Sequence, residues 1–207
     1  MLFIKVVHRF TLCDGKILSF ITKTPSFSRC PLCFCPPSML NKYDEWQTDE
    51  EFNLKEDALL VGFSLLHLRM RIFSHLVNLS CKLHIDKSKH QARGGDAAIA
   101  KDRKKILQRR FRDKFNLRVD EPCSNGGNST TGNVTRIAFQ NPSLLAEILE
   151  LDPPLVNNLS LLLSALSSKF SINHEEFGKL CQETKSIYKE HYDNIPMNVS
   201  LHKLLDH

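Results

Sequence analysis

No stretch of this sequence is long and apolar enough for a bilayer: the longest apolar run, Leu159 to Leu166, is about half the required length and is broken by Ser160 and Ser164. A secretory leader is also missing, because Lys5, His8 and Arg9 interrupt the apolar N-terminus before it reaches the length of a signal core. Seven cysteines scattered over 207 residues are too few for a disulfide framework. No export and no membrane partner are expected, so the five Asn-x-Ser/Thr triplets, starting at Asn78, Asn128, Asn133, Asn158 and Asn198, have no route to glycosylation. A reducing, intracellular setting fits these absences. The chemistry of several enzyme classes is missing too. The stretch from Gly126 to Gly132 has no Gly-Lys-Ser/Thr ending and no strand before it, so it reads as a connector, and no Gly-x-Ser-x-Gly elbow occurs. Cys81 with His84, and Cys181 with His174, fall on expected helices where packing is the simpler role. His67 and His75 are expected at the polar border of a helix.

What is present is a globular composition, 42% hydrophobic and 25% charged, with helical periodicity. Apolar residues at Leu65, Leu68, Ile72, Leu76, Leu79 and Leu83 predict one long helix over 64–83. Asp96 is expected to cap a second, from Ala97 to about Asn116, with Leu107, Phe111 and Phe115 as its apolar stripe. A further helix is expected near Asn133. Pro142 and the Pro153-Pro154 pair start helices over 142–150 and 154–168, Asn173 caps one over 174–192, and Pro196 with Asn198 introduces the last. Ser38 is expected to cap a short helix from Met39, ahead of an exposed acidic run from Asp44 to Glu56. Residues 2–9 and Lys16 to Thr22 read as two short strands about a turn at Cys13-Asp14-Gly15. The expected fold is mainly α, with a small β element at its N-terminal edge. Its segments are a β edge and cysteine knuckle (1–35), a helical segment (36–85), a flexible linker (86–96) and a helical domain (97–207) that closes back on the knuckle.

Two patterns carry chemistry. Cys30-Pro31-Leu32-Cys33 offers two thiolates from one tight turn, and His202 and His207 are spaced as a zinc-binding pair, so the four would complete a tetrahedral Cys2His2 shell. A self-contained finger separates its halves by about a dozen residues, whereas these lie at opposite ends of the sequence. Packing thiols at Cys33 and Cys35, with ordinary exposed histidines on a frayed terminal helix, therefore stay open as the alternative. The second pattern is cationic. The net charge is +5, and Lys101, Arg103, Lys104, Lys105, Arg109, Arg110, Arg112 and Lys114 fall in one helix. Their spread around the helix suits phosphate tracking along duplex DNA more than base reading, or else simply hydrates the helix.

The order of Cys30-Pro31-Leu32-Cys33, Lys101-Asp102-Arg103-Lys104-Lys105 through Phe115-Asn116-Leu117, Gly132-Asn133-Val134-Thr135-Arg136 and Leu201-His202 to Asp206-His207 resembles the C-terminal half of the V(D)J recombinase catalytic subunit and the Transib-type transposases. The resemblance spans roughly residues 2–207. It implies that the knuckle follows the last strand of an RNase H-like domain, and that a helical insertion follows before the His pair returns to the same structural Zn2+. In that family two Asp and one Glu hold paired Mg2+ ions for strand cleavage. Both Asp lie before the knuckle and the Glu lies after the His pair, so the resemblance gives no position here a catalytic role. A nuclear, DNA-associated domain is the expectation. A zinc-stabilised interaction module, binding a protein or its own copy through the leucine-rich helices of 142–192, and a functionless transposon remnant are the competing readings. His207, the last residue, is expected to lie in a fraying turn.

Overall fold

The computed structural model describes residues 15–48, 64–83, 94–123 and 127–207. These form nine α-helices and a 3-10 helix, with no strand among the described residues. In order they are α1 (Gly15–Ile21), the 3-10 helix (Pro37–Lys42), α2 (Tyr43–Trp46), α3 (Leu65–Lys82), α4 (Gly94–Phe115), α5 (Gly132–Gln140), α6 (Pro142–Leu149), α7 (Pro153–Ser167), α8 (His174–Tyr192) and α9 (Val199–Asp206).

Helix α3 is the axis of the fold and packs on α4, α5, α6, α7 and α9. The expected stripe explains this only in part. Phe73, Val77 and Cys81 are buried beside Leu68, Ile72, Leu76 and Leu79, so α3 is covered over more than one face. Phe73 meets Phe111 of α4 and Phe139 of α5 edge-on, with centroids 5.7 and 6.2 Å away. Buried polar groups on α3 have partners. Ser80 Oγ donates to Leu149 O at 2.5 Å, and His75 Nε2 lies 2.9 Å from Tyr188 Oη. His75 is thus inside the core rather than at the polar border that its spacing suggests. One connected core runs from Leu18 to Leu205, so the segments on either side of residues 84–93 share it.

Local capping accounts for the helix starts. Thr131, Asn141, Asp152, Asn173 and Asn198 each accept a backbone N–H of the helix that follows. Pro142 and Pro153 occupy first-turn positions where a missing N–H costs nothing. The leucine-rich helices of 142–192 bury Leu145, Ile148, Leu151, Leu155, Leu159, Leu162 and Leu163 in the protein's own core, with Leu144 and Leu166 partly buried and Leu161 exposed.

Three local expectations are corrected. Lys16 to Thr22 is not a strand: residues 15–21 form α1, which over 16–21 buries Leu18 and Ser19, and Thr22 Oγ1 closes its end on Leu18 O at 2.9 Å. Adjacent buried positions cannot lie on one face of a strand. Ser38 does not cap; it lies inside the 3-10 helix, whose start at Pro37 follows the extended Pro36. Asp96 likewise lies inside α4, which begins at Gly94 and shortens the expected linker. The expected strand 2–9, and the parts of the linker and acidic run at 86–93 and 49–56, lie outside the described residues.

The buried His75 has a consequence for acid stability. Tyr188 Oη donates to Ile195 O at 3.0 Å, so its oxygen accepts the Nε2–H of a neutral His75. Burial, with Lys82 adding to it, pulls the imidazole down from 6.5 to about 4. The unfolded chain takes up this proton near pH 6.5 and the folded chain resists it, so stability is kept above that pH and lost as pH falls toward 4. The full loss is on the order of 3 kcal/mol. Urea melts should show wild type losing more stability than His75→Gln between pH 6.5 and 4; parallel losses would remove His75 from the account.

Candidate metal centre

The knuckle is shaped by its own backbone. Phe34 N–H donates to Cys30 O at 2.8 Å, Cys30 N–H donates to Cys35 O at 3.0 Å, and Phe34 takes a left-handed φ of 59° to turn the chain back. Trp46 of α2 holds the turn from outside, its Nε1–H donating to Cys33 O at 3.2 Å. At the other end of the sequence, Asn198 accepts Leu201 N–H at 2.8 Å and donates to Arg71 O at 2.9 Å, which fixes the start of α9 on α3. Buried Leu201, Leu204 and Leu205 seat the rest of α9, leaving His202 on the face toward the knuckle.

The four predicted residues meet. The sulfurs of Cys30 and Cys33 and a ring nitrogen from each of His202 and His207 lie within 4.8 Å of one another. Ligands about 2.0–2.3 Å from one tetrahedral ion stand roughly 3.3–3.8 Å apart, so a small contraction would close the shell. Cys33 Sγ and His202 Nε2 are already 3.4 Å apart. The first three side chains are buried. His207 is exposed, but its ring lies against Tyr43 (5.1 Å) and His202 (5.0 Å), so contacts hold the turn expected to fray. The cluster can hold a metal ion. Cys35, also buried, turns its sulfur to Pro36 O at 3.6 Å and is not part of it.

Without an ion, both cysteines are held as neutral thiols. Burial raises the Cys30 thiol above its ordinary value. At Cys33 the hydrogen bond with Cys30 pulls downward, but Cys35 and burial outweigh it and push the thiol up to about 12. Two thiolates so close together and out of water need a positive charge between them, which a divalent ion supplies.

The sequence matches no family model and no curated protein. The site's own chemistry is therefore the guide to it, and it extends past the four ligands. His202 Nδ1 lies 2.8 Å from Asp206 Oδ2, which fixes the tautomer that turns Nε2 toward the cysteines. Burial would lower the His202 imidazole, but Asp206 and Cys30 outweigh it and raise it. The other oxygen of Asp206, whose side chain is 1% exposed, meets Lys185 Nζ of α8 at 2.7 Å. Lys185 and Lys189 both reach Asp44, at 2.9 and 3.0 Å. Sequence reasoning left Asp206, Lys185 and Tyr43 without roles. Asp206 alone had a signal, its i,i+4 spacing from His202 on one helix face.

The eight cations are mostly matched by acids. Glu150, at the left-handed end of α6, takes both Arg103 and Arg110, which hold its carboxyl down at about 2 against the opposing effect of burial. Arg112 makes two bonds to the buried Glu121, at 2.9 and 2.7 Å. Lys104 pairs with Asp120, Lys105 with Asp102 and Lys114 with Glu147. Lys101 and Arg109 are exposed and have no acidic partner among the described residues.

Asp206→Asn keeps the shape and removes the charge that orients His202. Metal affinity, read by competition with a chromogenic chelator, should fall by roughly 10–100-fold. Unchanged affinity would exclude Asp206 from the ligand's support.

Proposed function

We propose that this chain is a zinc-closed helical domain related to the V(D)J recombinase and Transib-type transposases, associated with DNA in the nucleus. The observation that carries this reading is the four-residue Cys2His2 cluster, which joins the first and last parts of the sequence around a helical body. That closure is what the resemblance implies for a knuckle, an insertion and a returning His pair. Two thiolates and two imidazoles suit Zn2+ better than Mg2+ or Ca2+, which prefer oxygen. Four protein ligands leave no open position for a substrate, so the zinc's role is structural. The DNA half of the reading rests on α4. Because most of its cations already hold acids, Lys101 and Arg109, which have no acidic partner among the described residues, are the ones that would meet phosphate without displacing one.

Purified chain should contain about one zinc, and Cys33→Ser or His202→Ala should lose both the metal and cooperative unfolding. A zinc-free chain with an unchanged melt would exclude a structural metal. Duplex DNA binding, followed by anisotropy across a salt series, should weaken with a slope of about −0.9 per phosphate engaged, and Lys101→Ala with Arg109→Ala should flatten that slope. No binding even at low salt would remove the DNA half and leave the zinc half standing.

A further inference from the structure

A cavity of about 460 Å³ opens between α1, the chain entering the knuckle and the first turns of α3 and α9. Lys16, Arg71 and Lys203 line it together with His67, and no Asp or Glu is among the described lining residues. That sets it apart from α4, where acids answer most of the cations. Neither Lys16 nor Arg71 has an acidic partner among the described residues, and both are exposed. Lys203, on α9 beside His202, is buried in the wall. With no acid among its described lining residues, the exposed Lys16 and Arg71 concentrate positive potential in a recess, where an anion would replace water at little cost.

The same cavity has an aromatic edge. Phe27 lines it and is 69% exposed, a large apolar ring largely open to water. A group carrying both a negative charge and a flat π-surface would use both features, and the recess lies in the size range of small-ligand sites. We propose that this cavity binds one nucleotide of a single nucleic-acid strand, its phosphate between Lys16 and Arg71 and its base stacked on Phe27. Cations beside an exposed aromatic are the recurring elements of single-strand binding, and α4 offers no such pairing. The proposal rests on the DNA-associated reading for its class of ligand, and extends that reading from phosphate tracking on a helix to capture of a strand in a recess.

The test uses the full, zinc-loaded chain, a short fluorescent oligo(dT), a duplex of equal length, and thymidine monophosphate and inorganic phosphate as competitors. Phe27→Ala should weaken oligo(dT) binding by about tenfold with the salt slope unchanged, since stacking is lost and charge is not. Lys16→Ala with Arg71→Ala should weaken it and flatten the slope by about 1.4, two phosphate contacts on a single strand. All three positions are solvent-exposed, and a thermal melt checks that each variant folds. Thymidine monophosphate should compete better than inorganic phosphate. Oligo(dT) binding indifferent to the cavity variants, or lost only with Lys101→Ala and Arg109→Ala, overturns the proposal while the DNA reading stands. Equal competition by inorganic phosphate overturns the nucleotide and leaves a bare anion site. Cavity-dependent oligo(dT) binding without duplex binding supports the proposal and removes duplex tracking on α4. Binding of neither strand nor duplex removes both.

Discussion

The carboxylate of Asp206 is shared between His202 Nδ1 and Lys185 Nζ, and the joining of the two ends of this chain depends on it. It is nearly inaccessible to water, so leaving either oxygen unpaired would carry a full desolvation cost. Paired on both sides, it does two things at once. It fixes the ring of His202, a candidate metal ligand, and it anchors α9 to α8 through a buried ion pair. Lys185 passes the connection on to Asp44 at the start of α2, the helix whose Trp46 braces the knuckle. The metal cluster and the helix packing are therefore one polar network rather than a site set upon a finished fold.

The approach of α9 to the knuckle is set a few residues earlier, in the turn after α8. Asn41, buried in the 3-10 helix, donates to Asp193 O at 2.8 Å and Ile195 O at 3.1 Å and accepts Met197 N–H at 2.7 Å. Tyr188 adds a bond to the same Ile195 carbonyl and carries His75 behind it. A turn with this many bonds from distant parts of the chain has little freedom, so the direction in which α9 leaves it is determined. Tyr43, one residue past the 3-10 helix, then packs edge-on against both metal-facing rings, 4.8 Å from His202 and 5.1 Å from His207. The residues that orient the ligands are thus drawn from both ends of the chain.

Much of this is legible in the sequence. The helices from α6 onward announce their starts through Asn and Pro at capping positions, and α8 begins and ends where its periodicity and Asn173 indicate. The four metal-facing residues were legible as types and spacings; that they meet was an expectation that only the fold could test. Where the reading failed, the cause was local ambiguity or distant partners. Residues 16–22 alternate well enough for a strand, and only the burial of Leu18 beside Ser19 decides for a helix. Asp206 was in view as part of a motif, but Lys185 lies on another helix with nothing in its neighbours to mark it. Lys105 meets Asp102 within its own helix, but Glu121, Glu147 and Glu150 are 9 to 47 residues distant in sequence from the α4 cations they answer, beyond any helical pattern.

Those distant acids change what the charge of α4 means. A run of cations read along the sequence looks like one electrostatic surface, whereas the fold divides it into groups with different tasks. Arg103 and Arg110 tie α4 to the end of α6, and Arg112 clamps the buried Glu121. To recruit them a phosphate would have to displace a carboxylate already in place, in part buried, and the gain would be the difference between two similar interactions. Cations with no carboxylate beside them exchange only water and counterions, and their gain is the whole counterion-release term. By that criterion the number of basic residues is a poor guide to where an anion binds. The pertinent quantity is positive charge that no acid answers; among the described residues it includes Lys101 and Arg109 on α4 and Lys16 and Arg71 near the Cys2His2 cluster.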